Sequence, residues 1–137
     1  MMTKVFEQTL SVGYIPSVNH MYKYISSSKR VLAKEVHFFK EEIKYQLSKA
    51  GATAERAEGF GYVISTTFML RTSFGRRDLD NMQKATQDAA FEFFQENDAL
   101  ILQSHSTKLA IVNHPGEREY IKMTLYTTPI QAYKHSI

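Results

Sequence analysis

Residues Tyr62 to Leu70 read YVISTTFML, a stretch dense in β-branched and aromatic types, which predicts a strand. After Gly75 comes Arg76-Arg77-Asp78-Leu79-Asp80-Asn81. Met82, Ala85, Ala89 and Phe93 then make one apolar stripe at helical spacing that ends near Asn97. Leu100 to Val112 is a further strand region. This strand–helix–strand run is the centre of the fold, and the remaining elements arrange around it.

Toward the N-terminus, Phe6, Leu10, Val12 and Tyr14 fall on alternate positions, with Gln8 the break. That pattern predicts a first strand closing at Ile15-Pro16. A loop follows through Pro16–His20 and on past Tyr22, Lys23, Tyr24 and the Ser26–Arg30 run. Leu32, Val36, Phe39, Ile43 and Leu47 then recur as a helix stripe that Gly51 stops, and residues 52–60 form a loop. Toward the C-terminus, Asn113-His114-Pro115-Gly116-Glu117 is a turn, because Pro presets φ and Gly accepts a positive one. Tyr120 to Tyr126 is a fourth strand, and residues 128–137 are expected to be a tail. The order is β-α-β-α-β-β, with no internal repeat and no break in composition. The expectation is a single α+β domain over residues 1–137, a small mixed sheet packed with two main helices.

Composition narrows the function. The chain has 137 residues, 43% of them hydrophobic, enough to bury roughly two-thirds of its unfolded surface in one core. It has no cysteine, which excludes disulfide scaffolds, thiolate zinc sites, iron–sulfur clusters and cysteine nucleophiles. A net charge of +3 is mild, so any nucleic-acid surface must be local. The first residues lack the apolar core of a signal peptide, and no long uncharged apolar stretch exists to span a membrane. A cytoplasmic protein is expected.

Asp78 and Asp80 lie two apart, so extended backbone would put both carboxylates on one face. The same spacing occurs at Glu96/Asp98 and Glu117/Glu119, so spacing alone does not single them out. Their context does. They stand where a strand hands over to a helix, and Asp80, Lys84 and Asp88 continue as a charged stripe at i, i+4 and i+8. Asp98 follows at the end of that helix, from where the fold would return it to the Asp78/Asp80 site. Carboxylates gathered in this way repel by about a few kcal/mol each, and either protonate or hold a divalent cation. All-oxygen ligands favour Mg²⁺ or Mn²⁺ over zinc. A plainer alternative makes Asp80 the helix N-cap and the stripe a set of surface ion pairs.

The histidines His20, His37, His105, His114 and His135 are scattered without zinc-ligand spacing. Phe91, Phe93 and Phe94 are expected in the core, and Gly59-Phe60-Gly61 lacks the context of a nucleotide loop. Basic charge is concentrated twice. Lys23, Lys29, Arg30 and Lys34 are interleaved with Tyr22, Tyr24 and serines, and Arg71, Arg76 and Arg77 lead into the acidic pair. Two basic segments bracketing an acidic site suit a polyanion whose phosphates bind the rim while a cation neutralises the reacting one.

The run Arg76-Arg77-Asp78-Leu79-Asp80-Asn81-Met82-Gln83-Lys84-Ala85 closely resembles the R-R-D-L-D-N-L-x-K signature of the RusA family of Holliday-junction resolvases, small endonucleases of bacteria and phages. Pro16-Ser17-Val18-Asn19-His20-Met21-Tyr22 is similar to that family's P-P-S-x-N-x-x-Y segment, with Ile15 in place of its first Pro. Asp88-Ala89 and Asn97-Asp98-Ala99 match its later D-A and D-D-x motifs. The likeness covers about residues 8–125. It implies a Mg²⁺ site of three aspartates, Asp78, Asp80 and Asp98, with Lys84 required for cleavage. It departs at Asn97, where the family has an acid. It further implies a homodimer making two symmetric nicks in a four-way junction or other branched DNA. Lys23, Lys29, Arg30, Lys34, Arg76, Arg77 and Asn81 are then the expected DNA contacts. The alternative is a catalytically weakened protein that binds branched DNA.

Overall fold

The computed structural model describes residues 2–17, 26–112 and 116–131, except the side chains of residues 26–33. Six main elements follow in order: β1 (Thr3–Val12), α1 (Ser26–Lys49), β2 (Phe60–Leu70), α2 (Leu79–Phe94), β3 (Ile101–Ala110) and β4 (Glu119–Pro129). Short 3-10 turns at Phe74–Arg76 and Asp98–Leu100 flank α2. The α+β order expected from the sequence is the order observed.

The four strands form one mixed sheet in the order β1-β4-β2-β3. β4 pairs antiparallel with both β1 and β2, whereas β2 and β3 run parallel. A parallel pair needs a crossover, and α2 supplies it. One sheet face carries the core: Leu10 and Val12 from β1, Tyr62, Ile64, Phe68 and Leu70 from β2, and Ile121, Met123 and Leu125 from β4. Onto it α1 lays Phe39, Ile43 and Leu47, and α2 lays Met82, Ala85, Ala89, Ala90 and Phe91. Small residues along α2 let the helix lie close to the strands, while Phe91 meets Tyr62 edge-on at 5.3 Å between ring centroids. Phe93 and Phe94 pack against this core, as the sequence predicts for the phenylalanine group. On the reverse face Glu7, Thr9, Lys122, Gln103 and His105 are exposed.

Several boundaries differ from the expectation. β1 ends at Val12 rather than at Ile15, and α1 begins at Ser26, so Lys29 and Arg30 lie in a helix rather than a loop. α2 stops at Phe94, where Gln95 takes a left-handed φ of 56°. β4 runs to Pro129, which brings the first residues of the expected tail into the sheet. Gly51 is the stop for α1: its φ is 67°, and the Ala52 N–H bonds back to the Leu47 carbonyl at 3.0 Å. At Gly61 a Cβ would lie 2.7 Å from the Leu100 carbonyl oxygen, so only glycine fits where the strand register shifts between Tyr62 and Val63. The expected turn at residues 113–117 falls largely outside the described residues, as do Lys23 and most of the loop after Pro16.

Candidate functional site

The segment from Arg71 to Asp78 connects β2 to α2, and a buried ion pair fixes it. Arg77 Nη1 donates to Glu119 Oε1 at 2.5 Å and Nη2 donates to Glu119 Oε2 at 2.7 Å. The same guanidinium donates to the carbonyls of Ile15 and Thr72 and sits 4.3 Å from the Tyr14 ring centre. Glu119 also accepts from the backbone N–H groups of Ile15 and Arg71. Burial alone would raise the Glu119 carboxyl, but the bonds from Arg77, Ile15 and Arg71 outweigh it and hold the group below its ordinary value. Lys108 on β3 adds a second clamp, its Nζ donating to the carbonyls of Phe74 and Arg77 at 2.6 and 3.0 Å.

This overturns one expectation. Arg77 is 1% exposed and its charge is matched inside the subunit, so it is not a DNA-phosphate contact. Its neighbour Arg76 is exposed. Arg76 and Lys34 line one cavity of about 820 Å³ together with Tyr14, Phe38 and Glu42, so two of the basic residues singled out in the sequence share one rim. Lys23 and the side chains of Lys29 and Arg30 lie outside the described residues.

The clamped segment delivers Asp78 and Asp80 to the N-terminal end of α2. Asp78, not Asp80, is the N-cap residue, and its side chain makes no capping bond to the helix. Instead it accepts from Asn81 Nδ2 at 3.3 Å. Asp80 lies in the first turn, and both carboxylates are exposed. Lys84 follows one turn on, also exposed. Among the described residues, no ion pair within 4.0 Å joins Asp80, Lys84 and Asp88. The plainer alternative, a capping aspartate with a ladder of surface ion pairs, is therefore not what the side chains do.

Asp98 lies at the other end of the helix. It follows Gln95, and it lines a cavity with Lys40, Asp88, Glu92 and Asn97. Burial raises the Asp88 carboxyl, Lys40 and Lys84 oppose that rise, and Asp98 and Glu92 add to it. α2 has 16 residues, which makes it about 24 Å long at 1.5 Å per residue. Asp78 and Asp98 stand at its two ends, so the expected gathering of three aspartates does not occur within one subunit. Among the described residues, no group of three or more His, Asp or Glu side chains is placed to share a metal ion. The cause is topological. Because β3 runs parallel to β2, the chain must traverse the whole helix before re-entering the sheet, which leaves Asp98 at the opposite end from Asp78.

Asn97 has a local role. Its Oδ1 accepts from the Ala99 N–H at 2.9 Å and caps the 3-10 turn, a bond that asparagine makes as well as aspartate. The charge missing at position 97 is thus missing from a capping group, whereas Asp98 beside it is exposed.

Sequence reasoning missed Glu119, Lys108 and a polar network under α2. In that network Gln83 joins Thr66 and Ser104, and Gln87 accepts from the Ser104 hydroxyl at 2.6 Å. Glu119 had a usable signal: it falls in phase with Ile121, Met123 and Leu125, so its side chain must point toward the core and find a partner there. No protein-family model and no curated protein matches the chain. Among the described residues, no helix is long and apolar enough to cross a membrane.

Proposed function

We propose that this protein is a divalent-metal-dependent endonuclease acting on branched DNA, a four-way junction above all, and that it works as a homodimer. The observation that carries the reading is the state of the α2 N-terminus. Two exposed carboxylates, Asp78 and Asp80, stand on a clamped segment, engaged neither in capping nor, among the described residues, in ion pairs, one turn from an exposed lysine. The RusA-like motif supplies the reaction class.

Two carboxylates leaving room for substrate oxygens suit Mg²⁺, which takes one or two protein carboxylates and fills its other positions with water and phosphate. Mn²⁺ has the same preference for oxygen. When bound, such an ion supplies the Lewis acidity that phosphodiester hydrolysis requires. The protein's own groups do the remainder. The Arg77–Glu119 pair and Lys108 hold Asp78 at a fixed place, so ordering the site costs little when DNA arrives. Lys84 presents a positive charge beside the site and stabilises the charge that builds on the phosphate oxygens. Arg76 and Lys34 hold flanking phosphates and Asn81 positions Asp78, while recognition follows the shape of the junction rather than its bases.

The third aspartate of the RusA pattern has one place in this reading. About 24 Å of helix separates Asp98 from Asp78, so Asp98 serves the active site of the partner subunit, and two complete sites exist only in the dimer.

The test is a labelled four-way junction incubated with the protein in Mg²⁺. Paired nicks that vanish with Asp80→Asn, while junction binding persists, are the expected result. Binding without nicks in either Mg²⁺ or Mn²⁺ would replace the nuclease with a DNA-binding protein, and no salt-sensitive binding at all would remove both.

A further inference from the structure

α1 carries two adjacent phenylalanines and treats them differently. Phe39, with Ile43 and Leu47, faces the core, whereas Phe38 is 66% exposed. Lys34 and Glu42 lie one turn before and one turn after Phe38, so the three share one face of the helix. All three line the cavity of about 820 Å³ described above, as does Tyr14, itself 46% exposed. That volume is within the range of about 300–1,000 Å³ typical of small-molecule sites. Neither Tyr14 nor Phe38 belongs to the core, so packing does not explain an aromatic ring at either position.

Tyr14 is backed by a fixed cation. The Arg77 guanidinium, locked to Glu119, lies over its ring at 4.3 Å from the centre. The charges of the cavity divide into those already matched and those left over. Glu42 accepts from Arg118 at 2.9 Å and from the Gly13 N–H at 3.3 Å, and Arg77 is matched by Glu119. Among the described residues, Lys34, Glu35 and Arg76 take part in no ion pair within 4.0 Å. Two cations against one acid leave the rim positive. Ser73, also on the cavity wall, holds a left-handed φ of 54° and makes no capping bond with its side chain. Such backbone conformations are rare outside glycine and cluster at ligand clamps.

Aromatic faces with cations around them suit a nucleotide: the base stacks while its phosphates meet the charges. The cavity is also well placed. Arg76 stands two residues before Asp78, so their Cα atoms lie within about 7 Å of each other. A nucleotide held here is a close neighbour of a phosphate at Asp78 and Asp80. A base inside a duplex cannot enter a cavity. It must leave its stack, which costs least where pairing is already interrupted, as at a branch point.

We infer that the Tyr14–Phe38 cavity is a stacking pocket for one unpaired nucleotide of a DNA strand, whose phosphates Lys34 and Arg76 hold. The pocket is read from its own rings and charges, and its place beside the cleaved phosphate rests on the nuclease reading above. Stacking reads no sequence, because every base has a π-face. The pocket therefore selects branched DNA over continuous duplex rather than one base over another.

The test measures binding without metal, apart from cleavage, on a labelled four-way junction, a short single strand and a continuous duplex. Phe38→Ala removes an exposed ring and leaves the core intact. It is expected to weaken junction and single-strand binding by about tenfold, the scale of one lost base–aromatic stack, and to leave duplex binding unchanged. Its slope of log affinity against log salt should match that of the natural chain, because no phosphate contact is lost. Tyr14→Leu is expected to behave in the same way, and Tyr14→Phe, which keeps the ring, to bind as the natural chain does. If Tyr14→Leu fails to fold, Phe38→Ala still decides the question. Unchanged junction and single-strand affinity in Phe38→Ala, or an equal loss on all three probes, would overturn the pocket and leave the nuclease reading to its own cleavage assay. Ring-dependent single-strand binding by a protein that never nicks would keep the pocket and remove the nuclease.

Discussion

Arg77 and Glu119 form a two-pronged ion pair, at 2.5 and 2.7 Å, with both side chains at most 2% exposed. The two residues lie 42 positions apart and join the entry of α2 to the first residue of β4. Around them the same charges bind the backbone at Ile15, Arg71 and Thr72. The pair fixes the segment that carries Asp78, which is how a surface carboxylate acquires a defined place.

Breaking that pair from one side leaves an uncompensated buried charge. Glu119→Gln and Arg77→Met are each expected to cost about 3–5 kcal/mol in urea unfolding. The pH dependence has a definite sign. Folded Glu119 titrates below its ordinary 4.5, so between the folded and unfolded values the unfolded chain binds more protons. Its contribution is complete above pH 4.5 and is lost as pH falls through the folded value. Stability measured from about pH 6 downward should therefore fall more steeply for the natural chain than for Glu119→Gln. Parallel curves would remove Glu119 as a source of acid sensitivity.

Lys84 separates a chemical role from a structural one. It is exposed and has no ion-pair partner within 4.0 Å among the described residues, so Lys84→Ala is expected to change stability by less than about 0.5 kcal/mol. Junction cleavage should fall by about a hundredfold or more, the scale of losing a group that stabilises a transition state. A stability loss matching the activity loss would make Lys84 structural.

The rim cations give a third measurement. Arg76→Ala and Lys34→Ala are each expected to flatten the slope of log affinity against log salt by about 0.9 for every phosphate they cease to neutralise. An unchanged slope in both would take the cavity they share off the DNA surface.

Local periodicity made most of the elements legible. The stripe of Phe39, Ile43 and Leu47 reappears as a buried helix face, and the β-branched and aromatic run from Tyr62 to Leu70 reappears as a largely buried strand. The illegible parts were those decided at long range. Arg76 and Arg77 look alike in the sequence, and what separates them is an acid on a strand 42 residues later. The separation of Asp78 from Asp98 follows from a parallel connection, which no local pattern encodes, although a 16-residue helix between two acids already limits how near they can come. Asn97 illustrates a third kind of difficulty. A missing charge looks like a missing ligand until the side chain is found capping Ala99.

On the proposed function, each active site takes Asp78 and Asp80 from one subunit and Asp98 from the other. The most direct measurement uses heterodimers of Asp80→Asn and Asp98→Asn, each subunit carrying its own tag and the mixed dimer purified after co-expression. Each homodimer lacks an acid in both sites and is expected to be inactive. The mixed dimer concentrates both losses in one site and leaves the other whole, so it is predicted to nick one strand of a four-way junction. A purified heterodimer as inactive as its parents would contradict the shared site.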